Sequence, residues 1–139
     1  MTFLFTPQIL PFLSGSYFCN VELSVNMLAA GLSADQFFER VDYLISQMIL
    51  HQSKAKIVCL GVLPFYGDFK MTNPRDKIVS SADEFRTILK NIVVSYNNPR
   101  VVYADPMKAL SMHNLTSDFI HPSNFGMIEI AEYLKNFVK

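Results

Sequence analysis

Residues 57–63 read Ile-Val-Cys-Leu-Gly-Val-Leu, an unbroken apolar run closed by Pro64. A strand with one wet face alternates apolar and polar side chains, whereas a strand covered on both faces has no reason to. The run therefore predicts a central strand of a parallel sheet with helices packed above and below it. A chain built around such a strand needs flanking helices of the right length, and two announce themselves through their caps. Ser33-Ala34-Asp35-Gln36 and Ser81-Ala82-Asp83-Glu84 both have capping-box spacing, in which the serine hydroxyl and the residue three later each satisfy a free backbone N–H. After the first, Phe37, Val41, Leu44, Ile45 and Met48 recur at helical spacing; after the second, Phe85, Ile88, Leu89, Ile92 and Tyr96 do the same. A third helix is predicted to begin after Pro122, with Phe125, Ile128, Ala131, Leu134 and Phe137 on its core face.

Two more strands complete the pattern. Residues 101–104 follow the turn Asn97-Asn98-Pro99 and stop at Asp105-Pro106, and residues 9–13 supply an earlier candidate whose flaw is Pro11, which cannot donate to a ladder. The order strand, helix, strand, helix, strand, helix predicts right-handed crossovers and an α/β fold. The architecture expected is a three-layer αβα sandwich on a flavodoxin-like parallel sheet, formed by residues 1–139 as one domain. The loop over residues 65–80 is long for this class, and such loops often shape a site.

Charge excludes several functions. Twelve basic and twelve acidic side chains cancel, leaving no field to attract nucleic acid or an anionic membrane surface. No Lys or Arg precedes Arg40. The opening MTFLFTPQILPFLSGS is apolar and ends in small residues, but it lacks a basic start and is interrupted by Pro7 and Pro11, so it is a poor export signal. No run is long enough to span a bilayer. Cys19 and Cys59 give no disulfide framework, and Cys59 sits in the apolar run as a small hydrophobe would. These features favour a reducing, cytoplasmic compartment over secretion.

The chemistry concentrates near the end, in Asp118-Phe119-Ile120-His121-Pro122. An aspartate three residues ahead of a histidine can accept from one imidazole nitrogen, which fixes the tautomer and leaves the other as a base. The ring is expected at the N-terminus of the last helix, where the dipole disfavours imidazolium and Asp118 favours it. In open parallel sheets such groups gather beyond the carboxyl ends of strands. Gly15 and Ser16 after the first strand, Tyr66 and Asp68 after the second, and Asp105 after the third would join Asp118 and His121 there. The plain alternative for the Asp-x-x-His spacing is a histidine capping a helix beside a solvated aspartate.

The run DFIHPSNFGMIEIAEYL, residues 118–134, resembles the last block of the SGNH, or GDSL-type, serine esterases and lipases: Asp-x-x-His-Pro, a glycine four residues after the proline, then an apolar helix. LSADQFFERVDYLISQMILHQSKAKIVCLGVLPF is similar to a helix and strand in the middle of that family, and PQILPFLSG to its third strand. The resemblance covers most of this chain and roughly the C-terminal two thirds of the family fold, so the fold is expected to be incomplete at its N-terminal side. It implies ester hydrolysis in which a serine attacks the acyl carbon, His121 moves the proton and Asp118 orients His121, with no metal or organic cofactor. The family's Gly-Asp-Ser nucleophile block is not visible here. Where its Gly-x-Asn-Asp oxyanion motif should stand the chain reads Gly15-Ser16-Tyr17-Phe18, which leaves Gly15, with Asn20 from a shifted loop, as the oxyanion candidates.

The nucleophile is left unassigned. Ser16 is the local candidate, Cys19 a weaker one, and His51 and His113 read as structural or solvated. Two readings stay open. One is an acylhydrolase acting on a small-molecule, acylated carbohydrate or lipid ester, its nucleophile-bearing part lying elsewhere. The other is an inactive SGNH-like binding or assembly module. In either, an apolar strand left without its neighbour is an open edge that invites self-association or a partner.

Overall fold

A computed structural model describes residues 18–22, 27–28, 30–52, 54–65, 80–118 and 120–137. The elements follow in the order β1 (Phe18–Glu22), α1 (Ala34–His51), β2 (Lys56–Leu60), α2 (Ala82–Tyr96), β3 (Val101–Ala104), α3 (Pro106–Ala109) and α4 (Asn124–Leu134). Both long helices begin where the capping boxes place them. Ser33 and Ser81 accept from the N–H groups of Gln36 and Glu84, whose side chains accept in return from the serine N–H groups. The helix α2 ends at Asn97, in the left-handed conformation that asparagine tolerates better than most residues.

The three strands form one parallel sheet in the order β1-β2-β3. Alternate side chains of β2 enter two different cores. Ile57 and Cys59 join Phe37, Val41 and Ile45 of α1 and Phe85, Leu89 and Ile92 of α2, while Val58 and Leu60 join Ala104, Ala109, Leu110 and Ile130 of α4. The rings of Phe37 and Phe85 stack with centroids 4.0 Å apart, locking α1 to α2 over the first core. No helix among the described residues is long and apolar enough to cross a membrane.

Three expectations need correction. The strand beside β2 is Phe18–Glu22, with Asn20 opposite Val58, whereas residues 9–13 lie outside the described residues. Gly15 and Ser16 too lie outside the described residues. β1 contains no proline, so every one of its backbone N–H groups is available to the ladder.

The second correction concerns β2, which stops at Leu60 although the apolar run continues. Leu60 pairs with Glu22 on one side and Ala104 on the other, and there both neighbours end. Beyond it Val62 and Leu63 stay buried, and their carbonyls accept from Nε and Nη2 of Arg86 on α2. Apolar sequence reports burial and cannot distinguish a ladder from a side chain that supplies the same hydrogen bonds.

The third concerns α4. It begins after Pro122 as expected, with Ser123 as the N-cap accepting from the Gly126 N–H, but its buried face is a different one. The buried stripe is Gly126 and Ile130, continued by the half-buried Tyr133, Leu134 and Phe137, whereas Phe125 and Ile128 are 75% and 59% exposed. A stripe drawn through 125, 128 and 131 and one drawn through 126, 130 and 133 both satisfy helical periodicity in a helix this apolar. Close approach decides: a Cβ at Gly126 would stand 2.5 Å from the Asn114 carbonyl oxygen and 2.9 Å from a Leu110 methyl. Ile130→Ala is expected to cost about 2–5 kcal/mol and Ile128→Ala less than about 0.5 kcal/mol in urea unfolding, which inverts the ranking drawn from periodicity alone.

Candidate active site

The loop between α3 and α4 is built by a short chain reversal. Leu115 and Pro122 form an antiparallel bridge, and the Thr116 N–H donates to the His121 carbonyl at 2.7 Å. This brings Asp118 and His121 onto the tip of the reversal. Asp118 Oδ1 accepts from the Thr116 hydroxyl (2.6 Å), the Ile120 N–H (2.8 Å) and the His121 N–H (2.9 Å), so the carboxylate organises its own loop. Its other oxygen, Oδ2, faces Nδ1 of the His121 ring at 2.5 Å.

Those contacts set the charge of the aspartate. The His121 N–H, then the Thr116 hydroxyl, the His121 ring and the Ile120 N–H hold the Asp118 carboxyl well below the usual carboxylate range. An ionised carboxylate only accepts, so Nδ1 carries the hydrogen and Nε2 is the acceptor of the neutral ring. The pair is not sequestered: the His121 and Asp118 side chains are 70% and 45% exposed.

The start of α4 packs against the segment that leaves α3. The Tyr133 hydroxyl accepts from the Asp105 N–H, just past the end of β3, while Gly126 and Glu129 meet Leu110, Ser111 and Asn114 farther along the chain from the sheet. Asp105 itself is occupied as the N-cap of α3, where it accepts from the Met107 N–H.

The other residues singled out in the sequence are placed as follows. Asn20 lies within β1, where only its backbone is described; Cys19 precedes it in the same strand. Gly15, Ser16, Tyr66 and Asp68 lie outside the described residues. Cys59 is buried in β2, His51 sits exposed in the last turn of α1, and His113 is exposed in a short 3-10 turn. Among the described residues, no serine, threonine or cysteine side chain is hydrogen-bonded to the His121 ring, and no group of three or more His, Cys, Asp or Glu side chains is placed to hold a metal ion. One open groove of about 500 Å³ runs along β3 between Lys90, Val94, Asn97 and Tyr103, away from Asp118 and His121.

Sequence reasoning missed two participants. Thr116, two residues before Asp118, supplies a local side-chain contact of a kind that threonine and aspartate commonly make in turns. Glu129 on α4 accepts from the Ser111 N–H and hydroxyl and from the Asn114 side-chain amide. No spacing rule joins Glu129 to Ser111, because the contact forms only once α4 has folded back.

Comparison with known proteins bears on this arrangement through the fold. No protein-family model matches the chain, and no curated protein sequence does. Among solved structures, a protein from Streptococcus pneumonia described as a candidate platelet activating factor superposes with a TM-score of 0.71 at 12% identity, over 88% of this chain and 59% of its own. A salicylyl-acyltransferase from a tetracycline biosynthetic pathway superposes with a TM-score of 0.67 at 14% identity, over 94% of this chain and 40% of its own. A third crystal structure gives 0.68 at 18% identity, over 86% and 63%. The chain shares its fold with these proteins and spans between 40% and 63% of their lengths.

Because Asp118 and Glu129 are both held below their ordinary values of 3.8 and 4.5, the fold binds their protons less tightly than the unfolded chain does. Each contributes stability that is fully present above its ordinary value and is lost as the pH falls through the folded one, which for Glu129 is about 2 and for Asp118 is likewise lowered. Urea unfolding followed from about pH 5 down to about pH 2.5 should show that decline in the native chain and a shallower one in Asp118→Asn.

Proposed function

We propose that residues 1–139 form an SGNH-type acylhydrolase domain, a three-layer α/β sandwich, in which His121 is the general base and Asp118 its orienting partner. The observation that carries this reading is the Asp118 Oδ2 to His121 Nδ1 contact on the loop between α3 and α4. Support comes from the fold shared with an acyltransferase and with a candidate platelet activating factor, both longer than this chain.

With Nδ1 held by Asp118, Nε2 takes the proton of an attacking hydroxyl as it adds to the acyl carbon, then returns it to the departing alcohol oxygen. Water repeats the cycle on the acyl intermediate and releases the acid. The substrate is a small-molecule, carbohydrate or lipid ester. The hydroxyl is assigned to a serine outside the described residues, Ser16 being the candidate within this chain and a partner or additional segment the other source. Gly15 and Asn20 are the oxyanion donors this reading would use. No cofactor is required for that chemistry.

A second reading has its own observation. Asp118 Oδ1 already binds three donors of its own loop, which is what a purely structural aspartate would do, and no hydroxyl or thiol is hydrogen-bonded to His121 among the described residues. On that reading the domain is an inactive binding or assembly module. Hydrolysis of p-nitrophenyl acetate separates the two. The acylhydrolase reading expects His121→Ala to reduce turnover to the uncatalysed rate and Asp118→Asn to lower it by roughly 10⁴-fold through the wrong imidazole tautomer. Equal rates in the native chain and His121→Ala, with both folded by circular dichroism, would overturn the reading in which this chain's own Ser16 is the nucleophile and favour the binding module.

A further inference from the structure

We propose that Glu129 is a positioning residue for the Asp118–His121 pair, holding the loop that carries them against α4. The proposal rests on the reading of that pair as the acid–base unit. Glu129 stands half-buried on α4, one residue before the buried Ile130. Its Oε1 accepts from the Ser111 N–H at 2.8 Å and from Asn114 Nδ2 at 3.0 Å, and its Oε2 accepts from the Ser111 hydroxyl at 2.5 Å. One carboxylate thus gathers three donors from the segment that leaves α3, across 15 to 18 residues of sequence.

From Asn114 the connection runs directly to the histidine. The Asn114 carbonyl accepts from both the N–H and the hydroxyl of Ser123, each at 2.8 Å. The next residue, Leu115, bridges Pro122, and Thr116 bonds both the His121 carbonyl and the Asp118 carboxylate. The described backbone segments flanking the pair are therefore tied to Asn114 or to a residue within two positions of it, and Glu129 fixes Asn114 to the helix. Gly126 completes the seat, since its missing Cβ admits the Asn114 carbonyl.

The charge of Glu129 fits this use. The Ser111 hydroxyl and N–H, then the Asn114 amide, lower its pKa to about 2, with a smaller contribution from the exposed His113, so it stays an acceptor throughout the working pH range of the imidazole. Neutral glutamine can keep much of the geometry. Its oxygen takes the place of Oε1, and the Ser111 hydroxyl, which both donates and accepts, turns to receive the amide N–H. Alanine removes all three bonds. Position and charge are thereby separable by experiment.

The test reads the His121 ring directly by ¹⁵N NMR, as the fraction of the neutral imidazole in the Nδ1–H tautomer, alongside ester turnover. In the native chain that tautomer should dominate. Glu129→Ala should lower its share by about half as the loop loosens, and Glu129→Gln should restore it to near the native value. Ser111→Ala, which deletes one of the three bonds, should fall between them and serves if Glu129→Ala does not fold. If turnover is measurable, kcat should follow the tautomer fraction with KM little changed. An unaltered tautomer fraction in Glu129→Ala, or in Ser111→Ala where that variant stands in for it, overturns the proposal. So does a Glu129→Gln that behaves like Glu129→Ala. Absence of turnover in the native chain would instead count against the acylhydrolase reading, and the tautomer measurement would still decide the role of Glu129.

Discussion

Everything described here hangs on the burial of β2 from two sides. Ile57 and Cys59 can leave water only if α1 and α2 cover one face, and Val58 and Leu60 only if the segment from Ala104 to Leu110 and then α4 cover the other. The second requirement draws α4 back over the sheet and so turns the chain between them into the loop that bears Asp118 and His121. Apolar burial is non-directional and sets only where α4 must lie. The directional work falls to polar groups: Ser123 and Asn114 at the start of the helix, Glu129 a turn and a half later, and Tyr133 against the Asp105 N–H.

The candidate site is accordingly an outgrowth of packing. Its aspartate spends one oxygen on folding the loop and the other on the imidazole. A carboxylate used in both ways links local stability to the orientation of the ring, because the contacts that keep Asp118 ionised are the ones that hold the reversal closed. The same economy serves a histidine that must stay oriented for proton transfer and one that merely decorates a turn. Geometry near the ring therefore does not discriminate between catalysis and binding by itself; the discriminating element is a nucleophile delivered to Nε2.

Arg86 plays a comparable part at the far end of the central strand. The carbonyls of Val62 and Leu63 leave the sheet while still buried, and an unsatisfied pair there would be costly. The guanidinium answers both from α2, with Asp83 beside it. The segment leading to Pro64 is thus held by a side chain of the neighbouring helix.

Features governed by neighbouring residues were legible in the sequence. The capping boxes at Ser33 and Ser81, the core faces of α1 and α2, the parallel order of the sheet, and the Asp-x-x-His contact all depend on spacings of four residues or fewer, or on a strand too apolar to face water. What the sequence left open was decided by contacts between distant segments. Whether α4 buries Phe125 or Gly126 depended on how closely the Asn114 carbonyl approaches. β2 leaves the ladder level with Glu22 and Ala104, a register that no local pattern in the sequence gives. Glu129 had no sequence signature because its three donors lie 15 to 18 residues away and meet it only when the helix has packed. Periodicity records which side chains avoid water, and only the assembled tertiary structure determines which polar groups then find one another.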